Sequence, residues 1–234
     1  VRAAGGRAIT VRCDVVDPAQ CRELVARTVE AFGSLYCMYA NAGYGVETAI
    51  DEMSDDSLRA IFEVNFFGTV NAVRPAIEQM RRQPLSQGRR GHIVICSSCL
   101  SKMSIPYYSA YSASKAAQNH IGRAMDFELA PSGIRVSTVN PIGTRTEFFE
   151  ICKGQNGGAD LVNHSRERFM QEPTLVSSEI LSCLRRYRPE VWTGVVGRLT
   201  RVGMAVCVAF PGLENRRLRK MINDRRCKAA AAKA

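Results

Sequence analysis

The chain has 234 residues, of which 46% are hydrophobic and 23% charged, ordinary proportions for a soluble globular protein and enough for one large domain with a substantial core. Its net charge of +10 is confined to one end: residues 185–234 hold 13 Lys+Arg against 3 Asp+Glu, while residues 1–184 hold 19 of each. That distribution excludes a domain built as a polyanion binder and leaves a basic tail instead.

Apolar, strand-like runs alternate with long helical patterns. Arg7–Cys13 is β-rich and predicts a strand ending at Asp14. Asp17 and Pro18 then supply an N-cap and a helix-compatible proline for an amphipathic helix to about Phe32, which Gly33 stops. Leu35–Ala40 predicts a buried strand running into Asn41-Ala42-Gly43, and Ser54–Arg82 a single long helix. After a basic turn, Gly91–Ser97 reads as a strand, with Ile93, Val94 and Ile95 continuously apolar as in a sheet covered on both faces. A helix from Tyr108 to Ala130 ends at Pro131-Ser132-Gly133, and Ile134–Val139 is a further strand before Asn140-Pro141. Residues 144–173 read as an irregular, glycine-containing lid, Ser177–Tyr187 as a helix and Trp192–Val196 as a last strand. The alternation predicts an α/β fold, a Rossmann-type doubly wound parallel sheet over residues 1–200, with residues 201–234 an apolar, then basic, tail.

Ligands of such sheets bind at the carboxyl ends of the strands. Asp14, Asn41-Ala42-Gly43, Ser97-Ser98 and Asn140-Pro141 all fall at predicted strand ends. Tyr111 and Lys115 lie four positions apart, on one face of a helix and one turn apart. An ammonium so placed is expected to pull the phenol below its ordinary pKa near 10. With a hydroxyl nearby, the pair forms a proton-transfer site for alcohol and carbonyl chemistry.

Asp14-Val15, Asn41-Ala42-Gly43, Asn65, Ser98, Tyr111-x-x-x-Lys115 and Asn140-Pro141 through Thr146 occur in an order and at a spacing that resemble the short-chain dehydrogenase/reductase family. The resemblance implies an oxidoreductase that uses NAD or NADP to interconvert a secondary alcohol and a ketone. It assigns Tyr111 the role of general acid/base, and Lys115 the nicotinamide ribose and support of the tyrosinate. Ser98 would hold the substrate oxygen, and Asn65 would bend its helix and hold a relay water for Lys115. Asp14 and Val15 would meet the adenine, Asn41, Ala42 and Gly43 the adenosine ribose, and Pro141 and Thr144 the nicotinamide carboxamide. Tyr44, Met103, Tyr107, Phe148 and Phe149 would line an apolar substrate pocket. The family also implies a homodimer or homotetramer.

Two departures stand out. Where the family has glycine after the proline, Ile142 precedes Gly143. The family's first strand, glycine-rich loop, first helix and second strand are expected ahead of Val1, which would leave Leu35–Ala40 as an unpaired edge and NAD-versus-NADP choice unreadable. The alternative reading is therefore a truncated, catalytically silent fragment serving as an interaction or membrane-associated scaffold.

The remaining features are less specific. Nine scattered cysteines suit a reducing, cytoplasmic setting rather than a disulfide framework; Cys96-x-x-Cys99 matches the C-x-x-C pattern of redox or zinc sites, but it has no second pair and the three histidines show no ligand spacing. The tail lacks the interleaved aromatics of a nucleic-acid binder. The apolar stretch Val191–Phe210 is interrupted by Arg198 and Arg201, which leaves a packing or oligomer-contact segment, or peripheral attachment to anionic lipid through the basic end.

Overall fold

Four parallel strands, β1 (Cys37–Ala40), β2 (Gly91–Cys96), β3 (Ile134–Asn140) and β4 (Glu190–Trp192), lie side by side in that order. The structure is a computed structural model describing residues 1–154 and 170–212, with scattered positions from 215 to 223. Helix α1 (Pro18–Phe32) precedes β1, α2 (Asp55–Phe62) and α3 (Gly68–Arg82) link β1 to β2, and α4 (Ser109–Leu129) links β2 to β3. Beyond β3 come α5 (Phe148–Gly154), α6 (Pro173–Arg185) and, after β4, α7 (Gly194–Ala209).

The period-two alternation of strand side chains divides the core in two. Met38, Ala40, Ile93, Ile95, Ile134 and Val136 pack with α1, α3 and α4 on one face. Val94, Val139 and Val191 pack against Val176 and Cys183 of α6 on the other. Ile93, Val94 and Ile95 are fully buried, each worth about 1.5–3 kcal/mol against exposure. Gly122 lets α4 press onto the sheet, because a Cβ there would meet Thr138 Cγ2 at 2.6 Å. The expected α/β doubly wound parallel sheet is the architecture observed.

Several elements differ from the sequence reading. Arg7–Cys13 pairs with no strand among the described residues; it is fastened by side chains, with the Arg7 guanidinium donating to Ala31 O at 2.6 Å and lying over Phe32. β1 begins at Cys37 because the Gln83 amide clamps Leu35 on both sides, accepting from its N at 2.7 Å and donating to its O at 3.1 Å. The long helix expected over Ser54–Arg82 is interrupted by a π-helical turn at Glu63–Phe67. The expected irregular segment contains α5, while its Asn156-Gly157-Gly158 lies outside the described residues. The last strand stops at Trp192 because Gly194 adopts φ +64 and opens α7, whose Gly194 and Gly197 are buried.

Candidate active site

The carboxyl ends of β1, β2 and β3 open into a cleft of about 1360 Å³. Ser98 leaves β2 with extended backbone and caps the 3-10 turn Cys99–Lys102, its Oγ accepting from Leu100 N at 3.1 Å. Ser97 Oγ donates to Lys115 O at 2.9 Å, which ties the strand end to α4. Tyr111 and Lys115 occupy the first two turns of α4, and both are buried. The Ser98 side chain lies beside the Tyr111 phenol, close enough to favour its ionised form. The Lys115 ammonium sits 5.8 Å from the Tyr111 ring centroid and donates to Cys96 O at 2.9 Å.

The electrostatics correct one expectation. Burial pushes the Tyr111 phenol well above its ordinary range, and the Ser98 contact pulls it back only in part. Lys115 itself is shifted down by burial. Its ammonium is turned to a strand-end carbonyl, so desolvation outweighs the cation's pull in setting the phenol's protonation.

Asn65 lies at the centre of the π-helical turn and is fully buried. Its side-chain oxygen accepts from Tyr44 N at 3.0 Å, and its amide donates to Tyr44 O and to Ser114 Oγ, each at 2.9 Å. Its main-chain oxygen accepts from Thr69 Oγ1 at 2.8 Å and from Gln118 Nε2 at 2.6 Å. Gly43 is wedged against this group: a Cβ would come within 2.9 Å of Asn65 Oδ1 and 3.2 Å of Lys115 Nζ.

A model of the short chain dehydrogenase family matches residues 1–155. The chain belongs to the short chain dehydrogenase family. Among curated relatives, it is 33% identical over 174 residues to an L-rhamnose 1-dehydrogenase (NAD(P)(+)) of Sphingomonas sp. (strain SKA58), covering 74% of this chain and 64% of that one. Two solved structures share the architecture. A short chain dehydrogenase from Burkholderia cenocepacia J2315 in complex with NADP gives a TM-score of 0.70 at 23% identity, over 92% of this chain and 80% of that one. One from Mycobacterium paratuberculosis bound to NAD gives 0.67 at 25% identity, over 81% and 73%. The chain spans between 39% and 64% of the length of curated relatives it matches.

In this short chain dehydrogenase the cleft walls include Ser98, Tyr111 and Lys115, with Asn41, Gly43, Pro141 and Thr144 around them. Asn65 lies behind the wall, and Ala42 is exposed beside it. Asp14 and Val15 are not part of the wall: Asp14 Oδ1 accepts from Val16 N at 3.0 Å, and Val15 packs against Gly68. Of the expected pocket residues, Tyr44, Met103, Phe148 and Phe149 line the cleft. Tyr107 does not; it turns the chain at φ +70, and Tyr108 takes the wall position. Ile142 also lines the cleft, and the only non-glycine residues with positive φ among those described are Gln87 and Tyr107, so its backbone suits a side chain.

Sequence reasoning missed three supports. Ser114, inside the Tyr111–Lys115 segment, is Asn65's partner, and its position between the two could have drawn attention. The Cys96 carbonyl that holds Lys115 leaves no trace in side-chain identity. Gln171 fastens the far side of the cleft, its N donating to Gly143 O at 2.8 Å, its O accepting from Arg145 N at 2.9 Å and its Nε2 donating to Thr193 O at 2.6 Å.

A nicotinamide dinucleotide suits what is present: the volume is ample, Lys115 lines the cleft, and Gly43 leaves backbone on the wall uncovered by a side chain.

Proposed function

We propose that this chain is an NAD(P)-dependent oxidoreductase interconverting a secondary alcohol and a ketone, with Tyr111 as general acid/base. The observation that carries the reading is the convergence of Ser98, Tyr111 and Lys115, all buried, on one cleft at the strand ends. A dinucleotide bound there supplies or accepts the hydride, and its oxidised ring adds positive charge beside the phenol. The protein's own part is proton handling and orientation. Burial keeps Tyr111 protonated, which makes it the donor when a ketone oxygen takes up charge, while Ser98 Oγ steadies that oxygen. In the opposite direction the phenolate takes the alcohol proton.

Lys115 is assigned to the ribose of the cofactor and to supporting the phenolate, and Asn65 to holding the Tyr44 loop and α4 in register behind it. Pro141 and Thr144 are assigned to the carboxamide end, and Asn41, Ala42 and Gly43 to the adenosine ribose. Asp14 and Val15 take the adenine on the strength of the family resemblance alone. Tyr44, Met103, Phe148 and Phe149 favour an apolar small molecule. A homodimer or homotetramer is the assembly the family suggests. The relative named for NAD(P)(+) supports a nicotinamide cofactor and leaves both forms open.

The test is calorimetric titration of the chain with NAD(H) and NADP(H), followed by hydride transfer to or from a panel of secondary alcohols and ketones, read by nicotinamide absorbance. Binding followed by turnover supports the reading. Absence of both, in this chain and in one extended upstream, would favour a silent scaffold.

A further inference from the structure

Helix α7 is apolar on two opposite sides. Gly194, Gly197 and Met204 are buried, and Val196, Thr200 and Met204 stand in the cleft wall. On the other side Val195, Leu199, Val202 and Val206 follow one another at helical spacing and are exposed by 65%, 66%, 62% and 43%, with Phe210 beyond them at 64%. A helix with apolar residues on two opposite sides has one face to pack on its own domain and a second to set against another apolar phase. The two arginines that interrupt the run in sequence lean back to the body: Arg198 lies 3.8 Å from Glu179 and Arg201 3.9 Å from Glu190. No residue of the outer stripe is charged, and the two arginines flank it. Just past it, Arg216, Arg219 and Lys220 are exposed.

We infer that this outer stripe and the adjoining cations form a docking surface for an anionic lipid bilayer. Charge selects the lipid over a second copy. A symmetric pair would bring two +10 segments face to face, whereas an anionic surface complements them. Sixteen residues make α7 shorter than the roughly 20 a span requires, and no helix among the described residues is long and apolar enough to cross a membrane. The helix lies in the interface with its stripe in the acyl boundary, and two signals, apolar and polybasic, act together. Because the inner face of the same helix walls the cleft, docking brings that wall to the membrane surface.

Flotation of the full chain with phosphatidylcholine vesicles, and with vesicles also containing phosphatidylserine, tests this without any measurement of activity. The full chain should float with the anionic vesicles, stay behind with the neutral ones, and be released by high salt. Val202→Asp with Val206→Asp should lower the bound fraction about tenfold, and so should joint replacement of Arg216, Arg219 and Lys220 by Glu. Unchanged melting curves would show that both variants fold. Failure to float, equal flotation on neutral vesicles, or unchanged flotation of either variant would overturn the inference. So would loss of a dimer in light scattering on Val202→Asp/Val206→Asp while flotation persisted, which would make the stripe a contact between copies.

Discussion

The ammonium of Lys115 and the phenol of Tyr111 share a helix face, yet what governs the phenol is its surroundings. Burial favours the neutral form, so the proton stays on Tyr111 above the usual tyrosine range. The sign of the pH dependence follows. Alcohol oxidation needs the phenolate, so its kcat/KM should climb as pH rises through neutral into alkaline solution, while ketone reduction, served by the protonated form, should not climb. Paired pH–rate profiles in the two directions check this, and an oxidation optimum on the acid side of neutral would contradict it. Gly43 gives a second prediction at this scale. Gly43→Ala forces a methyl against Asn65 Oδ1 and Lys115 Nζ, and a displacement of that kind should cost about 10²-fold in kcat/KM with little change in thermal stability. The Tyr111-x-x-x-Lys115 pair drew attention less by its spacing, which chance can supply, than by the ordered set of strand-end residues around it. The partner that holds Lys115, a main-chain carbonyl, was not legible, because carbonyls do not vary with sequence.

Among the elements, α4 and β3 are joined through Asp126. Its carboxylate accepts from Arg135 Nε at 2.9 Å, Arg135 Nη2 at 2.8 Å, Val136 N at 2.8 Å and the Tyr187 hydroxyl, while the Arg135 guanidinium stacks 3.5 Å over the Tyr187 ring. Burial alone would raise the Asp126 pKa, but these donors overcome it and hold the carboxyl below its ordinary value of 3.8. A depressed carboxylate pKa stabilises the fold above the unfolded-state value, and that stability is lost as pH falls through the folded-state value. Asp126→Asn should therefore destabilise the protein by about 2 kcal/mol at neutral pH and flatten the decline in Tm below about pH 4. A melting temperature equal to the parent's at both pH values would refute this. Element boundaries show where patterns ran out. The Val-rich Trp192–Val196 looked like strand by composition, but only Glu190–Trp192 find a partner in β3, and the glycine at 194 permits the turn into α7. The π-helical turn at Asn65 was invisible to periodicity, since one extra residue in a turn leaves the flanking apolar spacing nearly intact. Arg7–Cys13 had the β-rich composition of a strand but finds no strand partner among the described residues.

For the whole molecule, four parallel strands gather their polar ends at one rim, and chemistry follows from what collects there. That arrangement was legible because strand–helix alternation and strand-end polar clusters are both written in residue order. The assignment of Asp14 and Val15 is the part least supported by geometry, since neither borders the cleft. The central claim is that the cleft performs hydride chemistry with the Tyr111 phenol moving the proton. The most direct measurement is Tyr111→Phe, assayed for turnover and, separately, for dinucleotide affinity. Turnover should fall by about 10³-fold or more while the dinucleotide Kd stays within about threefold of the parent value. Turnover close to that of the parent, or a collapse of cofactor affinity in step with activity, would contradict the account.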